Sequence, residues 1–188
     1  MRKIVLMLIL LLPTLLIAGN NYRREGVVTH YGYGYHHKRS GAGGIKVDAN
    51  MPIAASRDIP YGAIVLVENI DDTSPCKGNK MNVMIFDWGP SANPSKRIID
   101  MMPKGGFYSY KNKPGIAEKG RGGVKVRVEV INLDNACVPG RLGHSRQAKG
   151  EYFCLRKKYG KYLTYDNIDW LPYYNTNKEC YNRKKKKR

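Results

Sequence analysis

Two aspartates that each close an apolar strand pattern are the residues in this chain most suited to chemistry. Asp87 follows the apolar run 83–86, and Asp100 follows Ile98 and Ile99. An unpaired carboxylate is costly to bury, so an acid at the end of an apolar strand usually lies at a rim or in a cleft. Neighbouring carboxylates raise one another's pKa, which is how a carboxyl group becomes a general acid near neutral pH. The pair therefore predicts a site for acid catalysis.

A structural role for the same residues is the alternative. Asp87 precedes Trp-Gly-Pro, a turn sequence, and its side chain could bond to backbone amides of its own loop. The spacing by itself favours such capping slightly over catalysis.

Strand patterns on both sides of these acids predict a mainly β fold. Apolar or alternating runs cover residues 26–31, 63–70, 83–86, 97–100 and 124–132. Turn-rich and glycine-rich stretches separate them, including a long connection at 104–123 with room for a short helix. The 188 residues favour one domain with extensions. We expect the domain to end near Asn132 and a mobile leader at 20–25 to precede it.

The first nineteen residues have the pattern of a secretory signal peptide. A basic start precedes an apolar run from Ile4 to Ile17, and small residues follow at Ala18 and Gly19. No cysteine follows the run, so we do not expect a lipid anchor. We expect a secreted or periplasmic protein, with an uncleaved membrane anchor as the lesser alternative.

An exported chain with an even number of cysteines is expected to contain disulfides. The four candidates allow three connectivities; they are Cys76, Cys137, Cys154 and Cys180. Their spacing matches no zinc-site pattern, so we predict neither a metal nor a cofactor. One bridge is expected to staple the C-terminal extension, residues 133–188, to the strand-rich domain.

The formal net charge of +18 falls to +16 when Arg2 and Lys3 leave with the signal peptide. Such a charge favours anionic polymers or surfaces, and we expect no specific nucleic acid partner. The basic run at 183–188 is expected to be disordered. It would either hold the protein on an anionic surface or remain a solvated tail.

Aromatic residues alternate near the start of the mature chain, at Tyr31, Tyr33 and Tyr35. On one strand face they would form either a stacking platform for sugar rings or ordinary cross-strand packing, and the pattern leaves both open. The histidines nearby, His30, His36 and His37, lack acidic or cysteine partners at ligand spacing. We expect them to be solvated loop residues.

Five motifs in order resemble those of the rare lipoprotein A-like double-psi β-barrel family. They read GVVTHYG, AASRDIPYGAIVLVEN, FDWGP, RIIDMM and VKVRVEVIN, and they cover 26–132. Expansins and membrane-bound lytic transglycosylase A have related barrels. The resemblance implies a six-stranded double-psi β-barrel with a polysaccharide groove, and a small disulfide-stapled C-terminal extension beyond it.

The resemblance also implies a function on cell-wall polysaccharide, with peptidoglycan the expected partner. Several family members are lytic transglycosylases, which need one essential acid. Asp87 matches the acid of Asp-Arg-Gly-Pro and Asp100 that of Arg-x-Ile-Asp, so either is a candidate catalytic residue. The expected substrate contacts are Tyr31, Tyr33, Trp88, Arg97 and Asp48.

Three positions depart from the family pattern. Ser56 stands where the family has a histidine, Ile45 where it has a glutamate, and Trp88 where it has an arginine after the first acid. Besides a lytic transglycosylase, the sequence is therefore compatible with a non-catalytic, expansin-like protein that binds or loosens the cell wall. A weaker third alternative is a secreted barrel that binds another protein.

Overall fold

The computed structural model describes residues 22–32, 45–90, 96–110, 113–134, 136–137, 155, 157–165, 168, 174–175 and 180. These contain strands β1 (Arg23–His30), β2 (Lys46–Val47), β3 (Ile53–Ala55), β4 (Ile64–Asn69), β5 (Lys80–Asp87), β6 (Arg97–Met101), β7 (Val124–Asn132), β8 (Tyr162–Leu163) and β9 (Tyr174–Asn175). One turn of π-helix spans Pro103–Phe107. The predicted signal peptide and the basic tail lie outside the described residues.

Six of the strands close into a barrel. They are hydrogen-bonded in the order β3-β6-β1-β7-β4-β5, and pairing of β3 with β5 completes the ring. The β1–β6 and β3–β5 pairs are parallel, while the other four are antiparallel. The predicted mainly β class and six-stranded barrel are therefore confirmed.

The barrel is built from two equivalent halves. When β1 is exchanged with β5, β3 with β6 and β4 with β7, each strand pairing becomes a pairing that is also present and has the same direction. The two parallel pairs are equivalent to each other, and β3–β6 and β4–β7 each map onto themselves. This pseudo-two-fold arrangement places β3 between β5 and β6, the strands that carry the two candidate acids.

Alternating side chains produce the barrel core. In β7, Val124, Val126, Val128 and Val130 are buried, while the residues between them are exposed or half-buried. Such period-two burial is what a strand with one face on a core requires. The largest fully buried side chains outside β7 include Tyr61, Phe86, Phe107, Met81, Met84 and Met101.

Four of the predicted strands are confirmed within a few residues, as β4, β5, β6 and β7. β1 starts earlier than expected, because Arg23, Arg24 and Glu25 pair with 127–129 of β7. Residues 23–25 therefore belong to the barrel, and the prediction of a mobile leader is wrong for them. The helix allowed for in the long connection is the π-helical turn after β6.

The C-terminal extension is attached to the barrel by strand pairing and by a disulfide. β9 pairs with the start of β5, and β8 pairs with β2. Cys76 and Cys180 are bonded across 104 residues of sequence, which confirms the predicted staple. Cys137 is also disulfide-bonded, while Cys154 lies outside the described residues. Buried side chains from the extension complete this packing, namely Leu155, Tyr159 and Leu163.

One glycine in the π-helical turn permits a close approach between two parts of the backbone. A Cβ atom on Gly105 would lie 1.8 Å from the carbonyl oxygen of Met51. Only a residue without a side chain fits against that oxygen. The contact fixes the turn after β6 against the segment that leads into β3.

The Cys76–Cys180 bridge should contribute strongly to stability because it closes a long loop. The chain-entropy model gives about 4–5 kcal/mol for a loop of this length. We expect Cys76→Ala/Cys180→Ala to lower the melting temperature clearly, and dithiothreitol to lower that of the wild type at least as much. Calorimetry with and without dithiothreitol tests this. A variant that melts with the wild type would show that the bridge does not stabilise the protein.

Gly105→Ala should destabilise the fold, since the new methyl group meets backbone rather than a flexible side chain. We expect a loss of about 3 kcal/mol in the free energy of unfolding. Gly122→Ala is the matched control, because a Cβ at Gly122 has nothing within 4 Å. Urea denaturation of both variants measures the difference, and equal stabilities would refute the close approach.

Candidate functional site

Strand register places both candidate acids in one row across the barrel wall. Ala55 of β3 is paired with Asp87 of β5 on one side and with Asp100 of β6 on the other. Asp100 is in turn paired with Thr29 of β1. Neighbouring strands are about 4.8 Å apart, so the backbones of the two aspartates are separated by about 10 Å. Side chains of this length can both contact one bound group across that separation.

Asp100 is held in an ion pair. Arg97 donates from Nη2 to both carboxylate oxygens of Asp100, at 2.7 and 2.8 Å. Thr29 donates its hydroxyl to Oδ1 of Asp100, and Arg97 Nε donates to the same hydroxyl oxygen at 2.8 Å. The neighbours of Asp100 in β6, Ile99 and Met101, are fully buried, which places the carboxylate on the opposite face of the strand. Arg97, predicted as a substrate contact, thus orients the second acid.

Asp87 ends β5 and is 8% exposed. The backbone amide of Trp88 donates to its Oδ1 at 2.8 Å, and the Tyr31 hydroxyl donates to its Oδ2 at 3.2 Å. The turn-capping bond considered as an alternative is therefore present. It uses one oxygen of Asp87, while the other faces a tyrosine that was predicted as a substrate contact.

Ser56 fastens the strands directly beyond the row. Its amide donates to the carbonyl of Asp87 at 3.0 Å, and its hydroxyl donates to the carbonyl of Ile98 at 3.4 Å. The same hydroxyl accepts from the amide of Asp58 at 3.3 Å. Ser56 is 1% exposed and thus ties β3 to both acid-bearing strands. Sequence reasoning noted only which residue Ser56 replaces, since these bonds depend on tertiary pairing.

Trp88 and Arg57 stack beside Asp87. The guanidinium carbon of Arg57 lies 4.4 Å from the centroid of the Trp88 ring, a distance typical of a cation–π contact. Trp88 packs partly against the core, and Arg57 covers one face of its ring. Trp88 was predicted as a stacking surface for sugar, and Arg57 was not predicted at all. A sugar that approached the covered face would meet a guanidinium instead of a bare ring.

Asp48 makes local bonds at the end of β2. Its Oδ1 accepts from the backbone amide and the side-chain amide of Asn50, at 2.8 and 2.7 Å. The ammonium group of Lys113 donates to the carbonyl of Asn50 at 2.8 Å. Burial lowers the pKa of Lys113, and the nearby charge of Asp48 opposes that shift. Asp48 thus stabilises a turn, and its hydrogen bonds do not involve the row that contains Asp87 and Asp100.

His30 is packed rather than solvated, so the prediction of a loop histidine is wrong at this position. It ends β1, and its ring lies 4.9 Å from that of Phe107 and 5.0 Å from that of Tyr108. Its Nε2 is 2.8 Å from the Tyr108 hydroxyl, and its Nδ1 is 2.7 Å from the carbonyl of Tyr31. The strand continues through His30, which is why the side chain reaches the core. Tyr33 and Tyr35, with His36 and His37, lie outside the described residues.

Three further findings concern metal ions, membrane-spanning helices and similarity to known proteins. Within the described part of the chain, no three His, Cys, Asp or Glu side chains are grouped so that they could hold a metal ion. No helical segment there is long and apolar enough to cross a bilayer. Neither the protein-family models nor the curated proteins include a match to this chain.

Removing Arg97 should leave the carboxylate of Asp100 without its ion pair in a largely enclosed place, since the two side chains are 26% and 13% exposed. We expect Arg97→Ala to lower the free energy of unfolding by about 1–3 kcal/mol. Lys77→Ala is the control, because Lys77 and Asp72 are 56% and 83% exposed and such pairs contribute little. Urea denaturation compares them, and equal losses would show that the Arg97–Asp100 pair is not a structural element.

Proposed function

We propose that this protein is an exported enzyme of the cell wall, a lytic transglycosylase that acts on peptidoglycan. The observation that carries the proposal is the row in which Asp87 and Asp100 flank Ala55. The Tyr31 hydroxyl and the Trp88 backbone amide bond Asp87, and the Trp88 ring, which follows Asp87 in the chain, carries the Arg57 guanidinium. An acid with aromatic and hydrogen-bonding neighbours is what cleavage of a glycan requires.

In the proposed reaction the acid side chain acts twice. The carboxylic acid first gives its proton to the glycosidic oxygen, and the bond from that oxygen to C1 breaks. The same group, now a carboxylate, takes the proton from the sugar's own C6 hydroxyl while that oxygen bonds to C1. The products are a shortened glycan and a 1,6-anhydro sugar, and no water is consumed.

Asp87 is the better placed of the two acids for this role. Both oxygens of Asp100 are engaged by Arg97, and one is engaged by Thr29 as well. A glycosidic oxygen that approached Asp100 would have to open this ion pair, whereas the two donors described for Asp87 are neutral, namely the Trp88 amide and the Tyr31 hydroxyl. We therefore assign proton transfer to Asp87, and to Asp100 the role of a fixed negative charge two strands away.

Charge distribution supports retention on an anionic wall. The C-terminal extension, residues 133–188, contains fourteen Lys and Arg against five Asp and Glu, and its net charge of +9 is half of the chain's +18. On the barrel, by contrast, acidic side chains pair with basic ones, as Glu25 and Glu68 do with Arg127. The C-terminal extension is thus the part of the chain suited to contact anionic polymer or anionic lipid headgroups.

The second candidate is an expansin-like protein that binds the wall without cleaving it. It is favoured by the closed ion pair at Asp100 and by Ser56, whose hydroxyl is committed to backbone groups. Neither residue then offers a free group for proton transfer. Binding would need only the aromatic and cationic groups near Asp87.

Digestion of purified peptidoglycan separates these two functions. We expect the wild type to release anhydro-muropeptides, detected by mass spectrometry, and Asp87→Asn to reduce the rate by about 100-fold or more. Asp100→Asn should retain more activity than Asp87→Asn, and Asp72→Asn, on the exposed surface, should match the wild type.

Two results would contradict this assignment. Full activity of both Asp87→Asn and Asp100→Asn would show that the acid lies elsewhere. A wild type that sediments with insoluble wall but releases no anhydro product would favour the expansin-like function.

Retention on the wall should depend on salt. We expect sedimentation of the protein with wall material to weaken steeply between low and high salt, because screening reduces attraction between exposed charges. Deletion of residues 183–188 removes six basic residues and should reduce binding mainly at low salt. Binding that responds neither to salt nor to the deletion would assign retention to the barrel alone.

A further inference from the structure

Arg57 and Trp88 leave the barrel at the same end. Arg57 lies two residues after Ala55 in the chain, and Trp88 directly follows Asp87. Because β3 and β5 are parallel and Ala55 is paired with Asp87, the two residues emerge side by side. The stack they form is thus continuous with the proposed acid.

The stack fixes the orientation of the guanidinium. A guanidinium that lies over an aromatic ring presents its flat face to the ring, and its N–H donors project outward from the edge. That edge is the part of arginine that matches the two oxygens of a carboxylate. Arg57 is only half-buried, so part of its side chain remains open to an incoming ligand.

Arg57 differs from the other arginines of this part of the barrel in having no acidic partner within the described residues. Arg24 pairs with Asp58, and Arg97 pairs with Asp100. The nearest acid in sequence to Arg57 is Asp58, and its carboxylate bonds Arg24. The charge of Arg57 is therefore uncompensated by any ion pair that the structure describes.

Two enclosed N–H groups at the stack also lack acceptors. Nε of Arg57 and Nε1 of Trp88 are both shielded from solvent, and neither has a hydrogen-bond partner in the described part of the chain. Buried donors without acceptors are unfavourable and uncommon. The stack therefore carries a positive charge without a described acidic partner, and an anionic group that contacts the open part of Arg57 would supply the missing negative charge.

We propose that Arg57 and Trp88 form a subsite for a carboxylate carried by a sugar of the glycan next to the bond that Asp87 acts on. The inference rests on the proposed function, and it specifies the substrate as an acidic rather than a neutral glycan. A carboxylate gives two acceptors to the edge of the guanidinium, whereas a hydroxyl or an amide gives a neutral group. Arg57 is thus a specificity-determining residue, and the Trp88 ring holds its guanidinium in place.

The test uses two labelled oligosaccharides of alternating N-acetylglucosamine and N-acetylmuramic acid. One keeps the free lactyl carboxylates, and in the other they are converted to methylamides. Fluorescence anisotropy measures the affinity of both for the wild type, Arg57→Gln, Arg57→Lys and Arg23→Gln. Arg23 is exposed on β1, so its substitution removes one positive charge away from the stack. Thermal melting verifies that each variant is folded.

We expect the wild type to bind the carboxylate form about tenfold more tightly than the methylamide, which is the scale of one charge-assisted bond. Arg57→Gln should lose this preference, Arg57→Lys should retain part of it, and Arg23→Gln should retain all of it. Affinity for the methylamide should change less than about twofold in every variant.

The outcomes distinguish this inference from the proposed function. Equal affinity of the wild type for the two forms, or a preference that survives in a folded Arg57→Gln, would overturn the subsite while release of anhydro product would leave the enzyme intact. A preference that depends on Arg57 without any cleavage would support the subsite and overturn the enzyme. Binding of neither form would overturn both.

Discussion

The pairing of β3 with β5 and β6 at once is the constraint on which the site depends. β3 has only three residues, all buried, and its backbone is hydrogen-bonded on both sides. A shift of β3 by one residue would break its hydrogen-bond register with both neighbouring strands and exchange the faces on which its side chains pack. Asp87 and Asp100 therefore keep their places on either side of Ala55, and Ser56 adds side-chain and backbone bonds to both neighbouring strands.

The same strand pairing sets the surroundings of the two acids. Asp100 is opposite Thr29 and is held by Arg97, so its environment is complete within the protein. Asp87 lies at the other side of β3, where the chain turns away after Trp88. The two donors described for Asp87 are neutral, and within the described residues Nε of Arg57 and Nε1 of Trp88 have no acceptor. The two acids thus differ in the charge of the groups that bond them, although their sequence motifs are alike.

Local patterns were sufficient to predict most of the barrel. The alternation in 124–132 gives β7 with its bounds, and the apolar runs that end in acids give β5 and β6. The mainly β class follows from such patterns because burial on a pleated surface has a period of two, whereas the number of barrel strands was implied by the family resemblance. A disulfide to the C-terminal extension could be predicted from the cysteine count. Which cysteines it joins could not, because the pairing of Cys76 with Cys180 depends on the path of the chain.

What the sequence did not predict are contacts between residues far apart in the chain. Arg57 lies within the motif AASRDIPYGAIVLVEN, but its contact with Trp88 appears only where the β3–β5 register brings the two residues together. His30 lies within the predicted strand pattern 26–31, but it was grouped with the loop histidines His36 and His37, whereas it is paired with Met101 of β6. Arg97 and Asp100 lie within one motif, but the Thr29 hydroxyl that bonds both of their side chains comes from β1.

The central claim is that the end of the barrel where Asp87 is flanked by Trp88 and Arg57 is where a glycan binds. A crystal structure of the Asp87→Asn variant with a peptidoglycan oligosaccharide tests this most directly. The account predicts a glycosidic oxygen within hydrogen-bond distance of residue 87, with Asp100 still paired to Arg97. An oligosaccharide bound at another face of the barrel, with residue 87 enclosed by protein, would contradict it.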